Sequence, residues 1–140
     1  MARAYGWGAQ LLIAEENEYG VPPEENYRKI PFISSSLDSE QNLVSSNVLG
    51  LGRDPTQPFQ DVINVDGDMA VPVDMRNIGL WLKAVFGAPV TTDNEDGSFT
   101  HTFDSGKTSV PSYSLEVGLP EIPQFIRFSG VRANSIAFNF

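Results

Sequence analysis

His101 is the one imidazole in a chain that contains no cysteine, so the chemistry open to this sequence is narrow. A zinc cage of histidines alone, a thiolate metal site and a disulfide framework are all excluded. His101 stands between Thr100 and Thr102, and a lone histidine on a strand face is far more often a structural side chain than a catalytic base. Ser34, Ser35 and Ser36 have no histidine near them and no GxSxG around them, which leaves a nucleophile without its base. Acidic neighbours such as Glu15 and Glu16, Glu24 and Glu25, or Asp66 and Asp68 arise readily among 18 acidic residues, and they read as solvated faces rather than acid–base couples. Asp93-Asn94-Glu95-Asp96-Gly97 invites a calcium reading. With Gly97 at the sixth position of an EF-hand loop, however, Thr92 takes the first position and Phe103 the twelfth, and neither brings the carboxylate required there. Gly50-Leu51-Gly52-Arg53 begins like a dinucleotide fingerprint, but Pro55 stands where its third glycine belongs and no strand and helix flank it. The expectation is a protein that is not an enzyme and has no cofactor or metal.

The elements that position these residues are organised around Asp61–Gly87. Ile63, Val65, Gly67, Met69, Val71 and Val73 alternate with Asn64, Asp66, Asp68, Ala70, Pro72 and Asp74, the period-two pattern of a strand with one face in the core and one in water. Pro72 ends that strand or confines it to an edge, and Asp74 offers a carboxylate to the free amides of a new helix. A helix is predicted over about 74–86, with Ile78, Trp81, Leu82 and Val85 as its sheet-facing stripe and Gly87 as its C-terminal cap. So few polar positions imply packing on more than one side. Further strands are predicted over 9–15, 28–35, 99–103, 112–119, 125–129 and 135–140, the last with Ile136, Phe138 and Phe140 on one face. Many short strands and one flanking helix make a mainly β protein, an antiparallel sandwich or barrel-like domain.

Between these strands, Leu37–Gln60 carries glycines, prolines and isolated apolar residues with no regular period. Loops of this length are uncommon in a compact domain and are usually functional or ordered by a partner. It is expected to be an extended excursion whose Leu43, Val48, Leu49, Leu51 and Arg53 contact a neighbouring subunit. At 140 residues with a formal charge of -9, a single domain is expected, and its charge opposes specific binding of nucleic acid. No run approaches the roughly 18 apolar residues of a membrane span, so a soluble protein with no membrane partner is expected.

Several segments in order carry a resemblance: LLIAEENEYGVPP, KIPFISSSL, GRDPTQPFQDVINVDGDMAVPVD, GLWLKAVFGAP, THTF, and PSYSLEVGLPE followed by FSGVRANSIAFNF. Together they resemble the tail tube proteins of long-tailed, non-contractile bacteriophages and their prophage relatives. The resemblance implies a structural virion protein with a β-sandwich and flanking helix, made in the host cytoplasm and assembled into stacked six-fold rings. Those rings form the conduit for DNA ejection, with the tape measure and tail terminator proteins as further partners. DNA passes through without specific binding. The acidic polar face bearing Asp66 and Asp68 is then a candidate lumen lining, with the outer surface of the ring as the rival location. Relatives continue with further strands where this pattern stops at Phe140, so a fragment truncated at its C-terminus is expected. A recognition module of the carbohydrate-binding or adhesin type would show the same alternation. Exposed aromatic platforms would favour it, whereas Trp7 and Trp81 read as packing residues.

Overall fold

The computed structural model describes residues 5–46, 54 and 56–139. After a short 3-10 turn at Gly6–Gly8, the elements in chain order are β1 (Gln10–Glu15), β2 (Arg28–Ile30), β3 (Ser34–Ser35), β4 (Asp38–Glu40), β5 (Leu43–Val44), β6 (Phe59–Gln60), β7 (Asn64–Asp66) and β8 (Met69–Ala70). Then come α1 (Ile78–Phe86), β9 (Val90–Asp93), β10 (Phe99–Thr102), β11 (Tyr113–Leu119) and β12 (Gln124–Val131). The protein is mainly β, as the sequence predicts, and among the described residues its ladders are antiparallel and there is one α-helix. Two compact units divide the chain: Met1–Pro31 with Pro72–Phe140, and Phe32–Val71.

The first unit is built on a four-stranded sheet in the order β12-β11-β1-β2. Leu11 lies opposite Val117 and Ile30, Ile13 opposite Leu115, and Leu115 opposite Phe128. Residues opposed across a ladder share a face, so Leu11, Ile13, Ile30, Leu115 and Phe128 form one apolar surface, and all five are buried. Each contributes about 1.5–3 kcal/mol through removal of its side chain from water. On the other face Lys29, Leu12, Glu116 and Arg127 form a row across the sheet. Arg127 pairs with Glu116 at 2.7 Å and lies 5.1 Å from the Tyr27 ring centre. Both carriers of this ion pair reach solvent, so it adds no more than about 1 kcal/mol.

At the end of β1, Glu16 is buried without a cation among its bonding partners. Its carboxylate accepts from the Ser114 hydroxyl at 2.7 Å, the Gly130 amide at 2.8 Å and the Gly20 amide at 2.9 Å. Burial alone would raise its pKa, but the Gly130 amide, the Ser114 and Ser112 hydroxyls and the Gly20 amide together outweigh that and hold the carboxyl below its usual value. Nearby, burial and then the Glu15 carboxylate push the Tyr113 phenol well above its ordinary pKa.

Asp74 caps the turn into α1 as expected: its carboxylate accepts from the Arg76 and Asn77 amides, each at 2.8 Å, and from the Asn77 side chain. The regular helix begins four residues later than the sequence suggests, and its last turn closes with the Gly87 amide on the Lys83 carbonyl at 2.8 Å, Gly87 having φ 85°. The buried line differs from the predicted stripe. Ala84 and, just before the helix, Asn77 are buried, whereas Ile78, Trp81, Leu82 and Val85 are only partly so. Asn77 and Ala84 are seven residues apart, nearly two turns, so they lie in line along the axis. A helix apolar around most of its circumference gives no periodic signal to pick one face, and the small Ala84 marks the side of closest approach. Lys83 bonds Glu15 at 2.5 Å.

β9 and β10 form the expected hairpin, with Thr91 Oγ1 and His101 Nδ1 paired across it at 2.8 Å. The histidine therefore does structural work on an exposed ladder. The strand predicted over 135–140 does not form: residues 132–139 belong to no ladder, and Phe140 lies outside the described residues. Ile136 and Phe138 alternate as a strand requires, but alternation supplies no partner edge.

Candidate assembly surface

Phe32–Val71 folds back on itself as one antiparallel hairpin. Its ladders are β3 with β8 (Ser34 opposite Ala70, Ser35 opposite Met69), β4 with β7 (Asp38 opposite Asp66, Ser39 opposite Val65, Glu40 opposite Asn64), and β5 with β6 (Leu43 opposite Gln60, Val44 opposite Phe59). The first two share one register, and a one-residue shift precedes the third. Across the shift, the Gln41 side-chain amide donates to the Asp61 carbonyl and the Asp61 amide to the Asn42 carbonyl. At the break between β7 and β8, Gly67 has φ 148°, and a Cβ there would sit 2.6 Å from the Ser36 carbonyl oxygen. Only glycine fits so close a backbone crossing. Ser36 bridges the gap, its amide donating to the Asp68 carbonyl at 2.9 Å and its hydroxyl accepting from the Asp68 amide at 2.9 Å.

Two expectations change here. The stretch 37–60 is not without regular structure, since β4, β5 and β6 lie within it. The alternating strand from Ile63 to Val73 is not a core strand: Ile63 is 60% exposed, Val65 40% and Val73 63%. Alternation reports that two faces differ, not what covers them. The polar segment Asp38-Ser39-Glu40 lacks the β-branched and aromatic residues that mark strands, and backbone pairing holds it in place.

The register gives this hairpin two unlike faces. Asp38, Glu40, Asn64 and Asp66 share one side in register, and the two-residue period adds Asp68 to it; Val65 and Met69 lie on the alternate positions, to which the same period adds Ile63 and Val71. Asp66 and Asp68 are thus brought together with Asp38 and Glu40, which sequence reasoning missed. The signal was present: Asp38 and Glu40 repeat the two-residue spacing of Asn64, Asp66 and Asp68. All four carboxylates are exposed, and Asp38 directly opposite Asp66 is an unfavourable like-charge pair. Leu43 is 68% exposed, as are Phe59 and Val62 to similar or greater extent. Val48, Leu49, Leu51 and Arg53 lie outside the described residues.

The sheet unit also leaves surface uncovered. β12 is the outermost strand of its sheet, and Phe125 and Ile126 on it are each half exposed. Trp7 is not a packing residue, being 82% exposed and stacked on Tyr5 with ring centres 6.0 Å apart. Among the described residues no group of three or more His, Cys, Asp or Glu side chains is placed to hold a metal ion, and no helix is long and apolar enough to cross a membrane.

A two-stranded ladder with both faces open is marginal alone, and apolar surface on this scale marks interaction sites, so the molecule has the features of a structural subunit completed by assembly. The family model for phage tail tube proteins matches residues 6–140, and the chain belongs to that family. It is a structural component of the virion tail, a family role that entails assembly with itself and with other tail proteins. No curated protein resembles the chain closely enough to match.

Proposed function

We propose that the protein forms stacked six-fold rings that build the tail tube and conduct the genome during ejection, without catalysis. The observation that carries this reading is the Phe32–Val71 hairpin, whose apolar face stays open to solvent in the single chain. That face, with Leu43 and the segment carrying Val48, Leu49, Leu51 and Arg53, contacts a neighbouring subunit. β12, the outermost strand of its sheet among the described residues, offers its edge to a second copy. Asp66 and Asp68, joined by Asp38 and Glu40, supply an acidic face that repels phosphate, which suits a wall along which DNA must slide without sticking. The tape measure and tail terminator proteins are the further partners of the assembled tube, and synthesis takes place in the host cytoplasm. Negative-stain microscopy of the concentrated protein tests the reading: rings or tubes with a central channel support it, and a monodisperse monomer at every concentration refutes it.

A further inference from the structure

Among the described residues of the sheet unit, Glu16 is the one carboxylate that is both buried, at 8% exposure, and bonded wholly by neutral donors. Its three partners come from three places. Gly20 closes the turn that follows β1, Ser114 belongs to β11, and Gly130 lies near the end of β12. The same turn is held a second way, since the Tyr19 ring lies over Gly130, where a Cβ would meet its Cζ at 3.1 Å. The Arg132 guanidinium lies 4.7 Å from the centre of that ring. The Tyr19 side chain thus ties the 16–20 turn to the end of β12 and to Arg132 just beyond it.

We propose that Glu16 is an acid-sensitive latch, closed while ionised and opened by protonation, that releases the 16–20 turn, and with it the Tyr19 contact to Arg132, from the end of β12. An ionised carboxylate can accept from every direction its neighbours occupy. The Gly20 amide donates to Oε2 and the Gly130 amide to Oε1, so a proton on either oxygen faces an amide that has nothing to offer but a hydrogen, and at least one of those bonds is lost. Only the Ser114 and Ser112 hydroxyls can reverse their roles. The surrounding charges do not substitute for the latch. Glu15 is engaged by Lys83, Glu116 by Arg127, Arg132 by the Tyr19 ring, Glu18 is exposed on the turn itself, and the Tyr113 phenol stays neutral throughout the acid range. The lowered pKa of the carboxyl agrees with this geometry and places the opening on the acid side of its ordinary value.

The test follows single sites by NMR in the full chain. The Glu16 side-chain carboxyl carbon is titrated from pH 7 downwards, while hydrogen-exchange protection factors, corrected for the intrinsic effect of pH, are measured at Gly20, Gly130 and Leu115. Protection at Gly20, at Gly130 or at both is expected to fall about tenfold or more through the Glu16 titration, with Leu115 still protected. In a folded Glu16→Gln variant, which keeps one acceptor oxygen, at least one of the two amides is already weakly protected at pH 7 and neither responds to acid any longer. Protection at Gly20 and Gly130 that is indifferent to the Glu16 titration, or that is lost only together with Leu115, overturns the proposal. Should Glu16→Gln fail to fold, the wild-type titration alone decides.

Discussion

At the scale of single residues, four positions carry most of what can be tested. Gly67→Ala places a side chain in a backbone crossing at φ 148° and should cost about 1–3 kcal/mol of local stability. Amide exchange should quicken at Ser36 and Asp68 while the sheet unit is unchanged; unaltered exchange there would mean the crossing relaxes easily. Glu16→Ala strands donors that now meet a carboxylate and should cost at least about 1–3 kcal/mol, the penalty for one buried donor left without a partner. Because the folded pKa of Glu16 lies below its unfolded value, its contribution is complete above the unfolded pKa and fades as pH falls through the folded one. Wild-type denaturation midpoints should therefore drop on acidification more steeply than those of Glu16→Gln. At Asp66 and Asp68, replacement of both by Lys reverses the charge beside Asp38 and Glu40. If that face lines the channel, tubes carrying the two lysines should eject DNA slowly at low salt and recover at high salt, where charge is screened. Normal ejection in low salt would place the acidic face elsewhere.

At the scale of elements, the sequence was most informative where a strand is covered on one side by its own chain. β1 and β11 alternate, pair with each other, and bury the residues that alternation marks, so Leu11, Ile13 and Leu115 sit where their pattern puts them. The same rule misled for Ile63 and Val65, which alternate equally well on a hairpin whose faces are both open. Asp38 and Glu40 show a strand only in their two-residue spacing, since nothing in their side chains favours a pleat; their place is set by backbone pairing with the opposite strand. The helix shows a third kind of failure, in which Asp74 and Gly87 fix its ends but its broad apolar surface hides its inner face. Ala84 is the residue to probe. Ala84→Ile should overpack the buried line and cost about 1–3 kcal/mol. Leu82→Ala, at a partly buried site, should cost less than the roughly 2–5 kcal/mol typical of a fully buried leucine. Lys83→Ala should cost under about 1 kcal/mol, since its ion pair with Glu15 is open to solvent. Thermal or urea denaturation ranks the three, and a larger loss from Leu82→Ala than from Ala84→Ile would restore the stripe read from the sequence.

At the scale of the whole molecule, family membership and exposed surface point the same way. The Phe32–Val71 unit holds Asp38, Glu40, Asp54, Asp61, Asp66 and Asp68 against Arg53 alone, a concentration of negative charge next to uncovered apolar side chains. Charge of one sign keeps such a surface soluble in the free subunit, while the apolar face retains the gain available on burial. Deleting only 37–60 would remove β4, β5 and β6 and leave β7 without its partner, so a clean removal takes the whole hairpin. The most direct measurement is analytical ultracentrifugation of the full chain beside a variant in which residues 33–70 are replaced by a short glycine–serine linker, with circular dichroism as the check that the β sheet persists. Concentration-dependent assembly of the full chain, together with a folded variant that remains monomeric, is the predicted result. Equal assembly by the two proteins would contradict the assignment of the hairpin as the surface that joins one subunit to the next.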